Sequence, residues 1–300
     1  MIFLRHNVPG AGSRAISALG IAVLAAFLAF SGASCRWFRR AAPPPPIARP
    51  EPAPPAPPAP APPAPAPAPT ADKPSKLPRG NGKLAIIIDD MGQGQPGSRE
   101  LLAVKRPITF AFIPHTVRLA QDIKAAKGSG QEVFLHLPME PLPITKADPG
   151  PDAITVGMSD EEIKARVKNL IKEMPDASGI NNHMGSLATA DKRVMRAVLA
   201  AVKTSGLPFI DSRTSPTSVV GEIAREEGVP TAANGLFIDL VREPEAVKER
   251  IREAARAAQK RGSFIVIGHP HPSVAKAIEE IIPELDQAGV ELVFVSKLAR

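Results

Sequence analysis

The chain has 300 residues, one cysteine, no tyrosine and a formal net charge of +7. Of that charge, +5 lies in the first 70 residues, where arginines outnumber the one acid, Glu51. The remainder is nearly balanced and has no basic runs interleaved with aromatics, so nucleic-acid binding is not expected of it. The single Cys35 excludes an intrachain disulfide and a cysteine-built zinc site.

Ala15 to Ala33 is almost wholly apolar, long enough for one membrane span or a long signal peptide. The first reading of residues 1–40 is an uncleaved anchor, with residues 15–35 in the membrane and Trp37 at headgroup level. A signal peptide cleaved near Ser31-Gly32-Ala33 comes second, and a lipidated Cys35 third. Ala41 to Pro69 is almost entirely Pro and Ala, a composition that favours polyproline II. At about 3.1 Å per residue that segment reaches ~90 Å. The linker runs on to residue 82, and a globular domain is expected over 83–300. Together these place the domain in the cell envelope, exported and anchored to the inner membrane, or secreted if the leader is cleaved.

The domain opens with Leu84-Ala85-Ile86-Ile87-Ile88-Asp89-Asp90. The apolar run is too short for a helix and too apolar for a one-sided strand, so it reads as a strand covered on both faces. Its two terminal carboxylates sit where α/β proteins place their chemistry. The loop Met91-Gly92-Gln93-Gly94 lacks the spacing of a phosphate or dinucleotide loop. A short helix follows over Ser98–Val104, a strand over Ile108–Ile113 ending in Pro114-His115, and a helix over Leu119–Lys127. The third strand spans Glu132–Glu140, where Pro138 is expected to end the ladder and leave His136 and Glu140 at its mouth. Ile144 to Gly157 is the longest loop. Ser159 with Glu162 forms a capping box that opens a helix to about Glu173.

Ser178-Gly-Ile-Asn181-Asn182-His183-Met-Gly-Ser186 is a brief apolar run followed by polar groups. A helix starts near Asp191. Leu207-Pro-Phe-Ile-Asp211-Ser212-Arg213 repeats the pattern of strand then polar cluster. A helix over 218–227, short strands at 229–232 and 237–239, and a long charged helix from Pro244 to Arg261 follow. Ser263–Gly268 is an apolar strand ending in His269-Pro270-His271, then come a helix over 273–288 and a last strand over 290–295. Alternation of this kind predicts a parallel α/β fold, open sheet or barrel. His115, His136, His183, His269 and His271 all follow or end strand-like runs, which predicts one composite site at the strands' C-terminal mouth.

From Lys83 to the C-terminus the chain resembles the divergent polysaccharide deacetylases, relatives of the NodB-type carbohydrate esterases. The resemblance rests on Asp89-Asp90, His136-Leu-Pro-Met-Glu140, Gly179-Ile-Asn-Asn-His-Met-Gly-Ser186, Phe209-Ile-Asp-Ser-Arg-Thr214 and Ile267-Gly-His-Pro270. It implies a distorted (β/α)7 barrel of NodB type. It implies a divalent metal, zinc first, on Asp90, His136 and Glu140, the last replacing the family's second histidine. His183 is the other candidate for the third ligand and is grouped here with the catalytic residues. Asp89 takes the role of base and His269 that of general acid. Asn181, Asn182, Asp211 and Arg213 fall to substrate binding. The implied reaction is metal-dependent removal of an acetyl group from an envelope glycan, with peptidoglycan the first candidate. The rival is a glycan-binding or scaffolding protein that kept the fold and lost turnover, motivated by Glu140.

Overall fold

A computed structural model describes residues 77–143 and 147–300. The predicted membrane anchor and most of the Pro/Ala linker lie outside the described residues. Among the described residues no helix is long and apolar enough to cross a membrane.

Strands and helices alternate as expected. The strands are β1 (Gly82–Met91), β2 (Thr109–Phe112), β3 (Glu132–Met139), β4 (Ile180–Met184), β5 (Phe209–Asp211), β6 (Thr231–Ala233), β7 (Leu236–Phe237), β8 (Ser263–Gly268) and β9 (Val290–Leu292). The helices are α1 (Ser98–Leu102), α2 (Leu119–Gly128), α3 (Asp160–Glu173), α4 (Lys192–Lys203), α5 (Val220–Glu227), α6 (Pro244–Arg261) and α7 (Pro272–Ala288). All strand pairings in the sheet are parallel. The order is β6-β5-β4-β3-β2-β1-β8-β7, with β9 beside the start of β1. The end strands β6 and β7 are not paired with each other, so the architecture is a half-barrel of parallel strands, the coarser form of the barrel expected.

Each face of the sheet has its own core. Leu84, Ile86, Ile88, Phe110, Leu135 and Phe209 point outward into the large cluster shared with the helices. Ala85, Ile87, Ala111, Phe134, Ile210, Ile265 and Ile267 form a smaller inner cluster, closed by Val293 and Val295. This double burial is why the strands read as continuous apolar runs rather than alternating ones. Side chains alternate along a strand, so the inward row continues from Ile87 to Asp89, from Phe134 to His136 and from Ile267 to His269. The composite site is thus the upward extension of the inner core.

Helix starts follow local chemistry. Ser159 and Glu162 complete the capping box of α3, and Asp191 accepts from the Val194 amide at the start of α4. Pro138 does not end its ladder: β3 stays paired with β4 through Pro138↔His183 and Met139↔Met184. The reason lies in the neighbour it lacks. The Pro138 carbonyl accepts from the Ile154 amide, away from β4, on the side where β2 has already stopped at Phe112 opposite Leu135. Proline's missing N–H therefore removes no bond of the β3–β4 pair.

Candidate metal centre

The pairing of β1 with β2 slips between Ile88 and Met91, which face Phe110 and Phe112. One extra residue on β1 makes a bulge at Asp89-Asp90. Asp90 there has φ +57°, in the left-handed region. Bulges re-aim side chains, and this one turns two neighbouring carboxylates to one place. His136 Nε2 lies 3.6 Å from Asp89 Oδ2 and 3.3 Å from Asp90 Oδ1. His183 Nδ1 lies 2.8 Å from the same Asp90 oxygen. The two imidazoles meet edge to face with centroids 4.9 Å apart.

Asp90, His136 and His183 each offer a donor atom within 4.8 Å of the others'. Asp90 Oδ1 is buried yet accepts no hydrogen bond, although two imidazole nitrogens crowd it. A carboxylate oxygen and two ring nitrogens around one point, with that oxygen left without a hydrogen, fit a divalent cation. Burial by itself would raise the pKa of Asp90, but the imidazoles of His136 and His183 override it and hold the carboxyl far below its usual range.

Asn181 sets the geometry behind these three. It stands beside His136 in the ladder. Its Nδ2 donates to Asp89 Oδ1 at 2.7 Å and to Ser212 Oγ at 3.2 Å. Its Oδ1 must then accept from His136 Nδ1 at 2.8 Å, which leaves His136 Nε2 for the Asp90 side. Metal-binding histidines are commonly oriented in this way through their other nitrogen. Burial pushes Asp89 above the usual carboxylate range, against the opposing charges of His136 and His269. His136 is buried, which lowers its pKa, yet the Asp89 charge and the Asp90 carboxylate raise it further, for a net upward shift.

His269 faces the group from β8, with Nε2 3.9 Å from Asp90 Oδ2. Asp239 holds it from behind: its carboxylate accepts from the His269 amide at 2.8 Å and from Nδ1 at 3.0 Å. Phe237 stacks on the ring, 6.2 Å between centroids and 8° between planes. Burial lowers the His269 pKa, and the Asp239 hydrogen bond together with the negative charges of Asp239, Asp90 and Asp89 more than reverses that, so it is pushed up to about 9.

The other expected residues fall differently. Glu140 stands apart from the three donors, and its Oε2 accepts from the Val156 amide at 2.7 Å. His183 stands where Glu140 was expected. Asn182 is fully buried, accepting from the Ser212 amide and donating to the Met184 carbonyl, so both of its polar groups are used inside the protein. Asp211 accepts from the Arg213 amide and from Ser218 Oγ, and burial raises its pKa. Arg213 is exposed and has φ +56°. His115 and His271 do not join the composite site. His115 lies between Asp152 and Glu173, 2.6 Å from each, and His271 caps α7 with Ser273. In the sequence Ser212 stood only as part of a polar cluster and Asp239 only as the end of a short strand, and neither was expected at the site. Each follows an apolar strand-like run, as Asp89 does, and that pattern was the available signal.

A family model described as divergent polysaccharide deacetylase matches residues 86–299. The chain belongs to the divergent polysaccharide deacetylase family. An uncharacterized protein of Haemophilus influenzae is 35% identical over 218 residues, covering 73% of this chain and 77% of the relative. The uncharacterized Escherichia coli protein YibQ is 33% identical over 207 residues, covering 68% of this chain and 63% of its own length. The crystal structure of the uncharacterized protein ATU2773 from Agrobacterium tumefaciens is similar in fold, with a TM-score of 0.69 at 24% identity, covering 73% of this chain and 89% of that one.

Proposed function

We propose that this divergent polysaccharide deacetylase removes acetyl groups from an envelope glycan, with peptidoglycan the first candidate, using a divalent ion, zinc first. The observation that carries the reading is the meeting of Asp90, His136 and His183 between a buried carboxylate, Asp89, and a partnered imidazole, His269. Asp90, His136 and His183 are the residues that would hold the ion. The chemistry it supplies when bound is Lewis-acid polarisation of a carbonyl and acidification of water.

The chain's own residues do the rest. Asp89 is the base: its Oδ1 is taken by Asn181, so Oδ2, on the His136 side, is the atom placed to accept a proton. His269 is the acid. Asp239 fixes its Nδ1, so Nε2 is the atom aimed at the site, and the charged form persists at neutral pH for donation to a leaving nitrogen or oxygen. Asn181 orients both Asp89 and His136, and Asn182 holds the backbone of Ser212. The exposed Arg213, beyond β5, is the remaining candidate for contacts with sugar hydroxyls.

The test is acetate release from acetylated glycans by the full-length protein, before and after chelation. Release that stops with chelator and in Asp89→Asn supports the reading. Glycan binding that survives chelation, with no acetate released from any of them, favours the non-hydrolytic alternative.

A further inference from the structure

Three imidazoles face the metal centre, and two of them have both ring nitrogens engaged. His136 turns Nε2 to the carboxylates and is held through Nδ1 by Asn181 Oδ1 at 2.8 Å. His269 turns Nε2 to Asp90 and is held through Nδ1 by Asp239 Oδ2 at 3.0 Å. His183 is turned the other way round. Its Nδ1 is the nitrogen toward the centre, 2.8 Å from Asp90 Oδ1. Its ring meets that of His136 edge to face, and among the described residues nothing hydrogen-bonds its Nε2.

A nitrogen that binds a metal carries no hydrogen, so ligation through Nδ1 puts the hydrogen of the His183 ring on Nε2. Metal-binding histidines almost always donate that second N–H to an acceptor, which orients the ring and strengthens the ligand. His183 has the donor, and the protein offers it no acceptor. The cause is the register of the sheet: β4 pairs with β5 only as far as Asn181↔Ile210, and His183 lies beyond the last pair. The unpaired side-chain atoms sealed from water, among the described residues, are on Asp90, Gln95, Ser98 and Asp122. The His183 ring is therefore open to solvent, through a side chain that is 12% exposed. An acceptor from outside reaches it one ring's width from the centre. We propose that a bound glycan supplies this partner, with a sugar oxygen accepting from His183 Nε2–H, so that His183 is a substrate-positioning residue as well as a metal ligand. The choice of a sugar oxygen over another acceptor rests on the deacetylase reading.

The test uses the full-length, zinc-loaded protein and tetra-N-acetylchitotetraose. Spectra of protein labelled with 15N-histidine are expected to show His183 metallated at Nδ1 and protonated at Nε2. Its N–H signal should move downfield as the tetrasaccharide binds. Nε2-methylhistidine in place of His183 keeps Nδ1 and removes the donor. Zinc content should be kept, and calorimetric affinity for the tetrasaccharide should fall about tenfold. Metal on Nε2, no binding of the tetrasaccharide, or binding that leaves the N–H signal unmoved overturns the inference, as does unchanged affinity in the methylated protein. If the methylated protein loses zinc, the N–H signal of the unmodified protein decides alone. An N–H signal that responds to the tetrasaccharide without acetate release leaves the contact standing and removes the deacetylase reading. Acetate release with an unmoved N–H signal does the reverse.

Discussion

Asn181 makes no contact expected of a metal ligand, yet it holds both His136 and Asp89 in place. Asn181→Ala is therefore expected to weaken metal affinity by about 10- to 100-fold, the usual cost of losing an orienting partner. A competition titration against a chromophoric chelator measures it, and an unchanged affinity would remove Asn181 from this role. Asp239→Asn acts on the other side. It is expected to leave metal content unchanged and, on the proposed deacetylase reading, to lower acetate release by about 100-fold, because His269 loses the group that fixes its ring. At this scale the sequence was legible where a polar residue ends an apolar strand: Asp89, Asp90, His136 and His269 all met at the site. It misled over Glu140. Glu140 lies just past the end of β3 with its Oε2 taken by the Val156 amide, and the donors that group together are Asp90, His136 and His183. His183 reaches the site from the next strand, beside Pro138, through a pairing that the sequence does not contain.

The element that turns the fold toward chemistry is the end of β1. Its bulge and the left-handed Asp90 bring two adjacent carboxylates together. His115, Met184 and Arg213 also have positive φ, each at or just beyond the end of a strand. Strain is thus concentrated around the strands' C-terminal ends. β4 depends on a close approach just before it: a Cβ at Gly179 would come within 2.2 Å of the buried Phe134 ring. Gly179→Ala is expected to destabilise the protein by about 1–3 kcal/mol and to weaken metal binding, since β4 carries Asn181 and His183. Denaturant unfolding with and without zinc reads both effects. A second device joins the turn after β2, the loop before α3 and α3 itself. Hydrogen bonds to Asp152 and Glu173 raise the pKa of His115 above its ordinary 6.5. With the folded-state pKa raised, the contribution is fully present below the ordinary value and fades as pH rises through the folded-state value. The group is half exposed, so the effect is small. An NMR titration should place the ring's pKa above 6.5, and His115→Asn should flatten the corresponding part of the stability–pH curve. A titration at or below 6.5 would show that Asp152 and Glu173 do not hold the charged His115 ring in this way.

For the molecule as a whole, the centre joins β1, β3 and β4, with His269 facing it from just beyond β8, so an ion held there would join strands distant in the chain. Anything that binds only the folded state stabilises it by mass action, about 2.7 kcal/mol at a hundredfold excess over Kd. Zinc should raise the melting temperature of the full-length protein, chelator should reverse the rise, and Asp90→Asn should abolish it. A wild-type melting curve insensitive to zinc would count against the centre. The sequence by itself determined the alternation of strand and helix, the parallel sheet and the place of its polar residues. Strands buried on both faces must be apolar throughout, and their ends are where polar groups then appear. It did not determine how far the sheet closes, which histidines meet or which acceptors are left unpaired. Those depend on strand order, on the register of β3 against β4 and on the slip at Asp89-Asp90. They are relations between segments far apart in the chain, and only the packed sheet decides them.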